Sequence, residues 1–179
     1  MSILQQTRST LPTGTWSLDP VHSRIEFAVT HNGISAFRGT FKDVTGTLDE
    51  GALTGEARVE SIALEDPNLR GHLLSPEFFD AERFPALRFR STAVELEGAS
   101  ATIDGEITIK GVTRPIRLTG ELRGPVENPF GGTVLALEVE GALDRRAFGI
   151  DWNMELPGGG EYLGNEVRLT GVLELKKEA

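Results

Sequence analysis

Three histidines, His22, His31 and His72, and 27 aspartates and glutamates are the side chains here that could move protons or hold a metal; there is no cysteine. The missing thiols exclude thiolate nucleophiles, cysteine-based zinc sites and disulfides together. None of the histidines stands at the spacing of a recognised metal motif, so no metal site is expected. Asp19, His22 and Ser23 supply the residue types of a hydrolytic triad. Adjacent strand residues point to opposite faces, however, and no Gly-x-Ser-x-Gly elbow presents a serine. Asp19-Pro20 reads instead as a turn whose carboxylate bonds backbone amides, with His22 as its anchor. Gly158 to Gly160 lacks the helix and the Lys-Ser/Thr of a phosphate loop and reads as a mobile hairpin loop. Glu77, Asp80 and Glu82 sit where a helix start favours acids. These residues assemble no catalytic set, and no cofactor is expected.

The elements that carry these residues are strands. At 179 residues and 19.4 kDa the chain suits one all-β domain, and 39% hydrophobic with 25% charged residues lies far from the composition of disordered chains. From Gly14 onward, period-two stretches put apolar residues on one face and charge or threonine on the other. Ile25, Phe27, Val29 and His31 share a face, as do Ala101, Ile103, Gly105, Ile107 and Ile109. Further runs place Val112, Ile116, Leu118 and Leu122 together, then Leu135, Leu137, Val139 and Leu143, then Val167, Leu169, Leu173 and Leu175. With weaker runs at Trp16 to Leu18, Ser35 to Leu48, Gly55 to Ile62 and Leu87 to Glu97, eight or nine strands are available, enough to close a barrel. Glycines inside strand patterns (Gly39, Gly46, Gly105, Gly120, Gly141, Gly171) are expected at bulges or bends.

One segment breaks the strand pattern. Asp66-Pro67 and Ser75-Pro76-Glu77 each read as an N-cap followed by proline at the first helical position, predicting two short helical turns over one end of the barrel. The expected architecture is all-β: an eight-stranded up-and-down antiparallel barrel, lipocalin-like, over residues 13–179, behind a flexible segment of residues 1–12.

Net charge of -9 and pI near 4.9 disfavour nucleic acid and stable attachment to anionic membrane surfaces. No apolar run approaches the roughly 18 residues of a membrane span, and MSILQQTRSTLPTG lacks the basic start and apolar core of a signal peptide. A cytoplasmic protein without an integral membrane segment is the expectation.

Four blocks in order resemble the YceI-like family of polyisoprenoid-binding, lipocalin-shaped proteins, over about Trp16 to Leu175. They are Trp16-Ser17-Leu18-Asp19-Pro20-Val21-His22-Ser23, with Ile25, Phe27, His31 and Gly39-Thr40-Phe41 behind it; His72-Leu73-Leu74-Ser75-Pro76-Glu77-Phe78-Phe79-Asp80 with Phe84-Pro85; Ile107-Thr108-Ile109-Lys110-Gly111-Val112-Thr113-Arg114-Pro115; and Phe148-Gly149-Ile150-Asp151-Trp152. The resemblance implies a long hydrophobic lumen holding an isoprenoid chain, such as a quinone tail or a polyprenyl pyrophosphate, or a related fatty-chain lipid.

Small inward candidates beside Ile, Leu and Val leave room along the barrel axis. The expected lumen residues are Phe27, Val29, His31, Phe37 and Phe41 from the first strands, and Phe78, Phe79, Phe84 and Phe89 from the helical segment and the strand after it. Ile107, Ile109, Leu118 and Leu137 from later strands join them, with Phe148 and Trp152. At roughly 0.8 kcal/mol per buried methylene, ten or so carbons offset an association cost of about 4 to 15 kcal/mol. A charged head would need donors at the mouth, for which Arg70, His72 and Arg114 are the candidates; Arg114 has inward parity, leaving lumen or rim as its two placements. The expected role is a non-catalytic carrier. An enzyme using His31 or His72 as acid or base, or a stress-protective protein with a side-chain-filled lumen, are the alternatives. A homodimer through a strand face is compatible with such a barrel, although no residue pattern specifies it.

Overall fold

The computed structural model describes residues 11–179. Its strands are β1 (Thr15–Leu18), β2 (Arg24–His31), β3 (Ser35–Phe41), β4 (Val44–Asp49), β5 (Ala52–Arg58), β6 (Ala86–Glu97), β7 (Ser100–Ile109), β8 (Val112–Glu127), β9 (Thr133–Asp144) and β10 (Leu163–Lys177), with one helix, α1 (Pro67–Leu74). β1 and β2 are two lengths of one barrel strand, since both pair antiparallel with β10, and β3 and β4 are likewise one interrupted strand running against β2 and β1. Every remaining neighbour is a sequential antiparallel pair, and β10 closes the sheet on β1 and β2. The ten segments therefore make a closed eight-stranded up-and-down barrel.

Turn chemistry sets the hairpins. Glu50-Gly51 and Lys110-Gly111 both hold two consecutive positive φ angles, the type I′ geometry that matches strand twist. The Gly in each accepts that conformation at little cost. These turns fix the register, so β7 presents Ala101, Ile103, Gly105, Ile107 and Ile109 inward, all buried, while the alternate residues Thr102, Asp104, Glu106 and Thr108 face outward.

The strand glycines do something other than bend the sheet. Register shifts fall at Ser91/Ala93, Arg123/Val126 and Leu163/Val167, and of the six in-strand glycines only Gly105, paired with Ser91, borders one. Gly39, Gly46, Gly105, Gly120 and Gly141 permit close approach. A Cβ on Gly39 would stand 2.3 Å from the Phe27 ring paired across from it, and one on Gly120 would stand 1.9 Å from the Glu138 carbonyl oxygen.

The interior has two storeys. At the end where Leu11 and the last residues of β10 lie, Leu11, Trp16, Leu48, Leu53, Leu96, Ile103, Leu135, Leu137 and Leu175 form a packed cluster, and the Trp16 indole donates to the Thr13 carbonyl at 3.1 Å. Leu11 is only 1% exposed, so the packed chain begins inside the segment expected to be flexible; residues 1–10 of that segment lie outside the described residues. At the other end, called upper here, the second cluster is built around Phe27, Phe41, Phe78, Ile107, Ile109 and Phe148, beneath α1 and the β9–β10 connection. The two storeys meet across Leu18, Ile25, Phe89 and Leu118.

α1 starts as expected: the Asp66 carboxylate accepts the Asn68 and Leu69 amides, and Pro67 takes the first position. The second predicted helical start does not form. Ser75 is the C-cap of α1, and its hydroxyl donates to the His72 carbonyl at 2.7 Å, so it cannot cap a new helix; the chain continues as turns. Among the described residues no helix is long and apolar enough to cross a membrane.

Gly120→Ala is expected to destabilise the barrel by at least about 2 kcal/mol, because the clash is with backbone that a rotamer change cannot relieve. Urea unfolding measures this, and a loss under about 0.5 kcal/mol would show that β8 and β9 can separate freely.

Candidate functional site

The upper storey encloses a cavity of about 300 Å³, lined almost wholly by carbon. That volume is at the lower end of the range of about 300–1,000 Å³ for ligand pockets. Its wall along β2 runs from Ile25 to His31, roughly 15 Å of depth for a strand tilted about 40°. Phe27 packs against Phe37, Phe41 and Phe79 at centroid separations of 6.0, 5.8 and 6.4 Å, forming one aromatic wall.

An aromatic collar lines the upper end of the cavity. His31 meets Tyr162 edge-on at 4.6 Å, Tyr162 meets Trp152 at 6.0 Å, and Trp152 meets His72 at 4.8 Å, with Phe78 against both His72 and Trp152. His72 is held by Glu77, its Nε2 lying 2.6 Å from a carboxylate oxygen, and His31 Nδ1 is 3.3 Å from the Asn32 amide. Neither histidine has an acceptor-activated serine or threonine beside it in these bonds.

Of the residues expected in the lumen, Phe27, Val29, His31, Phe37, Phe41, Phe78, Phe79, Phe89, Ile107, Ile109, Leu118, Phe148 and Trp152 line this cavity. Two do not. Leu137 has inward parity but falls in the packed lower storey, because parity gives the face of a strand and not the depth along it. Phe84 packs under the β7–β8 turn, where a Cβ on Gly111 would be 2.6 Å from its ring, and Arg83 lies over it at 5.1 Å.

The expected headgroup donors separate as well. His72 lines the cavity. Arg70 turns away and donates to the Glu60 carbonyl at 2.6 Å. Arg114 takes the rim placement: it is exposed, and its guanidinium reaches back to the Thr113 carbonyl at 3.3 Å.

The cation at the lining that sequence reasoning missed is Arg145, 4% exposed in the 3-10 turn after β9 (Arg145–Phe148). Nε donates to Gly164 O at 2.8 Å, Nη1 to Ile150 O and Trp152 O at 3.0 and 2.8 Å, and Nη2 to Leu163 O and Asn165 Oδ1 at 3.4 and 3.2 Å. All five guanidinium donors are thus consumed. Burial depresses its proton affinity, although a guanidinium stays charged at any ordinary pH. Arg145 ties the β9–β10 connection into a fixed roof. Neither Arg145 nor Tyr162 carries a sequence signal, since both sit in irregular chain where periodicity is silent. Arg88, the other arginine at the lining, is 63% exposed and pairs with Glu56 at 3.0 Å on the outer wall. Among the described residues no buried side-chain nitrogen or oxygen lacks a partner.

Asp19, His22 and Ser23 occupy the break between β1 and β2 and form no triad. The Asp19 carboxylate accepts the Val21 amide and holds His22 Nδ1, both at 2.8 Å, while Ser23 Oγ exchanges hydrogen bonds with the Glu174 backbone. The Glu174 carboxylate approaches His22 at 4.0 Å. The hydrogen bond that His22 donates to the Asp19 carboxylate raises the proton affinity of His22 above its ordinary value of 6.5, and the same bond lowers that of Asp19. The cluster pins β10 across the strand break.

Two outcomes test these contacts. Arg145→Met takes the guanidinium from the Gly164, Ile150 and Trp152 carbonyls, while Leu163 O keeps the Asn153 side-chain amide at 2.8 Å, so a loss of about 3 kcal/mol in urea unfolding is expected, with faster amide exchange across residues 150–165; unchanged exchange would show that the roof does not depend on it. For His22, the folded state holds the proton more tightly, so its stabilisation is complete below pH 6.5 and fades as pH rises through the raised value. At the acid end the Asp19 contribution fades as pH falls through its lowered value. His22→Gln should therefore lower the urea midpoint at pH 5.5 and have little effect at pH 9, and an equal effect at both would rule out the ion pair.

The matrix of known proteins agrees with this geometry. The model of the YceI-like domain matches residues 16–175. Protein YceI of Salmonella arizonae is 34% identical over 136 residues, covering 72% of this chain and 71% of that protein. A UPF0312 protein of Photorhabdus laumondii is 33% identical over 134 residues, covering 71% and 70%. In fold the chain is similar to Burkholderia cenocepacia BcnA (TM-score 0.68, 16% identity, 88% of this chain and 98% of that one). It is similar also to a polyisoprenoid binding domain from Saccharophagus degradans (TM-score 0.68, 11% identity, 91% and 98%). With the family model spanning the barrel from Trp16 to Leu175, the chain belongs to the YceI-like family.

Proposed function

We propose that this protein is a non-catalytic carrier that holds one apolar chain, of the isoprenoid or fatty type, in the upper storey with its end at the aromatic collar. The observation that carries this reading is the cavity itself, carbon-lined and edged by a collar of five rings. A barrel filled throughout, as a purely structural protein would have, is found only in the lower storey. The binding function described for the Saccharophagus degradans domain supports the choice of an isoprenoid.

A neutral head fits better than a pyrophosphate. A diphosphate needs several converging donors, whereas Arg145 has spent all five of its own on the roof and Arg88 faces solvent. A quinone-like ring would lie among Trp152, Tyr162 and His72, where offset or edge-on ring contacts contribute about 0.5–1.5 kcal/mol each. The limited depth places only part of a long polyprenyl chain inside, and the rest folds back or protrudes.

Organic extraction and mass spectrometry of the purified protein should yield a neutral long-chain lipid. Gly55 gives a second handle: it lines the cavity, and a Cβ there meets only the Thr45 carbonyl, at 3.7 Å. Gly55→Leu should fill lumen without strain and weaken uptake of a geranylgeraniol probe at least about tenfold, with the unfolding midpoint retained. Absence of lipid from several hosts, together with no probe uptake by the parent protein, would overturn the reading.

A further inference from the structure

We propose that the upper rim docks on an uncharged, zwitterionic lipid bilayer through Ile34, Leu69 and Met154, and that cargo enters the lumen across this contact. The proposal rests on the reading of the lumen as the seat of an apolar chain. The three residues come from three separate segments: the β2–β3 turn, α1, and the β9–β10 connection. They are 89%, 38% and 52% exposed.

The collar gathers these segments at one mouth. The Asn32 amide donates to Tyr162 O at 2.8 Å, which sets the Ile34 turn beside the β9–β10 connection, and the Tyr162 amide in turn donates to Met154 O at 2.8 Å. Leu69 lies one helical turn before His72, whose ring abuts Trp152, and Leu69 itself lines the cavity. The apolar rim is therefore continuous with the carbon-lined interior. A chain leaving the lumen through water would expose every methylene, whereas one passing between these residues moves from one apolar medium to another. Trp152 and Tyr162 present the amphipathic rings that settle at the depth of lipid headgroups.

Charge selects the kind of bilayer. Most cations at this end are already engaged, Arg70 with Glu60 O, Lys110 with Pro76 O, Arg83 with Asp80 and Arg146 with Asp144, while exposed Arg114 bonds only the neighbouring Thr113 carbonyl. Glu65, Asp66, Glu155 and Glu161 flank the same segments, and the whole chain carries -9. An anionic surface is repelled and a zwitterionic one is not. The opposite end supplies a built-in comparison, since Phe130 on the β8–β9 turn is 96% exposed there and does not line the cavity.

Because the chain has no cysteine, single labels can be placed cleanly. Ile34→Cys, Met154→Cys and Phe130→Cys would each carry an environment-sensitive nitrobenzoxadiazole and be mixed with phosphatidylcholine vesicles, with and without phosphatidylglycerol. The labels at 34 and 154 should brighten at least about twofold on phosphatidylcholine and less with the anionic lipid present, while the label at 130 stays unchanged. Silent labels at 34 and 154, or an equal response at 130, would overturn the proposal. Uptake of a geranylgeraniol probe from detergent-free solution separates the two readings. Uptake without docking overturns the rim alone, and docking without uptake overturns the lumen reading and the cargo route with it.

Discussion

Closure of the sheet by β10 is the interaction on which the rest of this structure depends. β10 pairs with β9 along one edge and with β1 and β2 in turn along the other, so it alone turns an open meander into a barrel with an inside. The seam is made in two lengths because the Asp19-to-Ser23 break interrupts the partner strand, and at that break side chains replace the ladder: Ser23 bonds the Glu174 backbone and Asp19 takes the Glu174 carbonyl through its amide. The residues that look most like chemistry in the sequence are thus holding the seam.

Once closed, an eight-stranded barrel has an interior that side chains can just fill or a slender ligand can occupy. This chain does both at different depths. Leu, Ile and Trp side chains fill the lower storey, whereas in the upper one the aromatic wall stands back from the axis because glycines let rings lie flat against the sheet, as Phe27 does over Gly39 and Phe89 over Gly105. The roof keeps that space from collapsing, and it is held by hydrogen bonds from Arg145 to backbone carbonyls instead of by packing alone. Rigidity there preserves a cavity whose apolar lining would otherwise favour closing up.

Much of the barrel was legible because period two is a local signal. The inward set on β7 and on β2 follows directly from alternation, and so did Asp66-Pro67 as a helix start. Depth along a strand was not legible, which is why Leu137 was expected in the lumen and lies in the lower core. Ser75-Pro76 misled for a different reason: a serine before proline suits an N-cap or a C-cap, and only the preceding α1 decides which. Arg145 and Tyr162 were invisible because their roles arise from contacts in irregular chain, and Arg70 looked like a free headgroup donor because its bond to the Glu60 carbonyl, ten residues away, has no local pattern, whereas parity left open whether Arg114 sat in the lumen or at the rim.

On the proposed reading a ligand chain occupies the upper storey and stops at the lower one. Isoleucine and leucine methyl NMR with a doxyl-labelled fatty chain tests it most directly, since the spin label broadens only nearby methyls. Broadening of Ile107, Ile109 and Ile150 with Ile103, Leu135 and Leu175 left sharp is the predicted result. Equal broadening in both storeys, or none in either, would contradict the account.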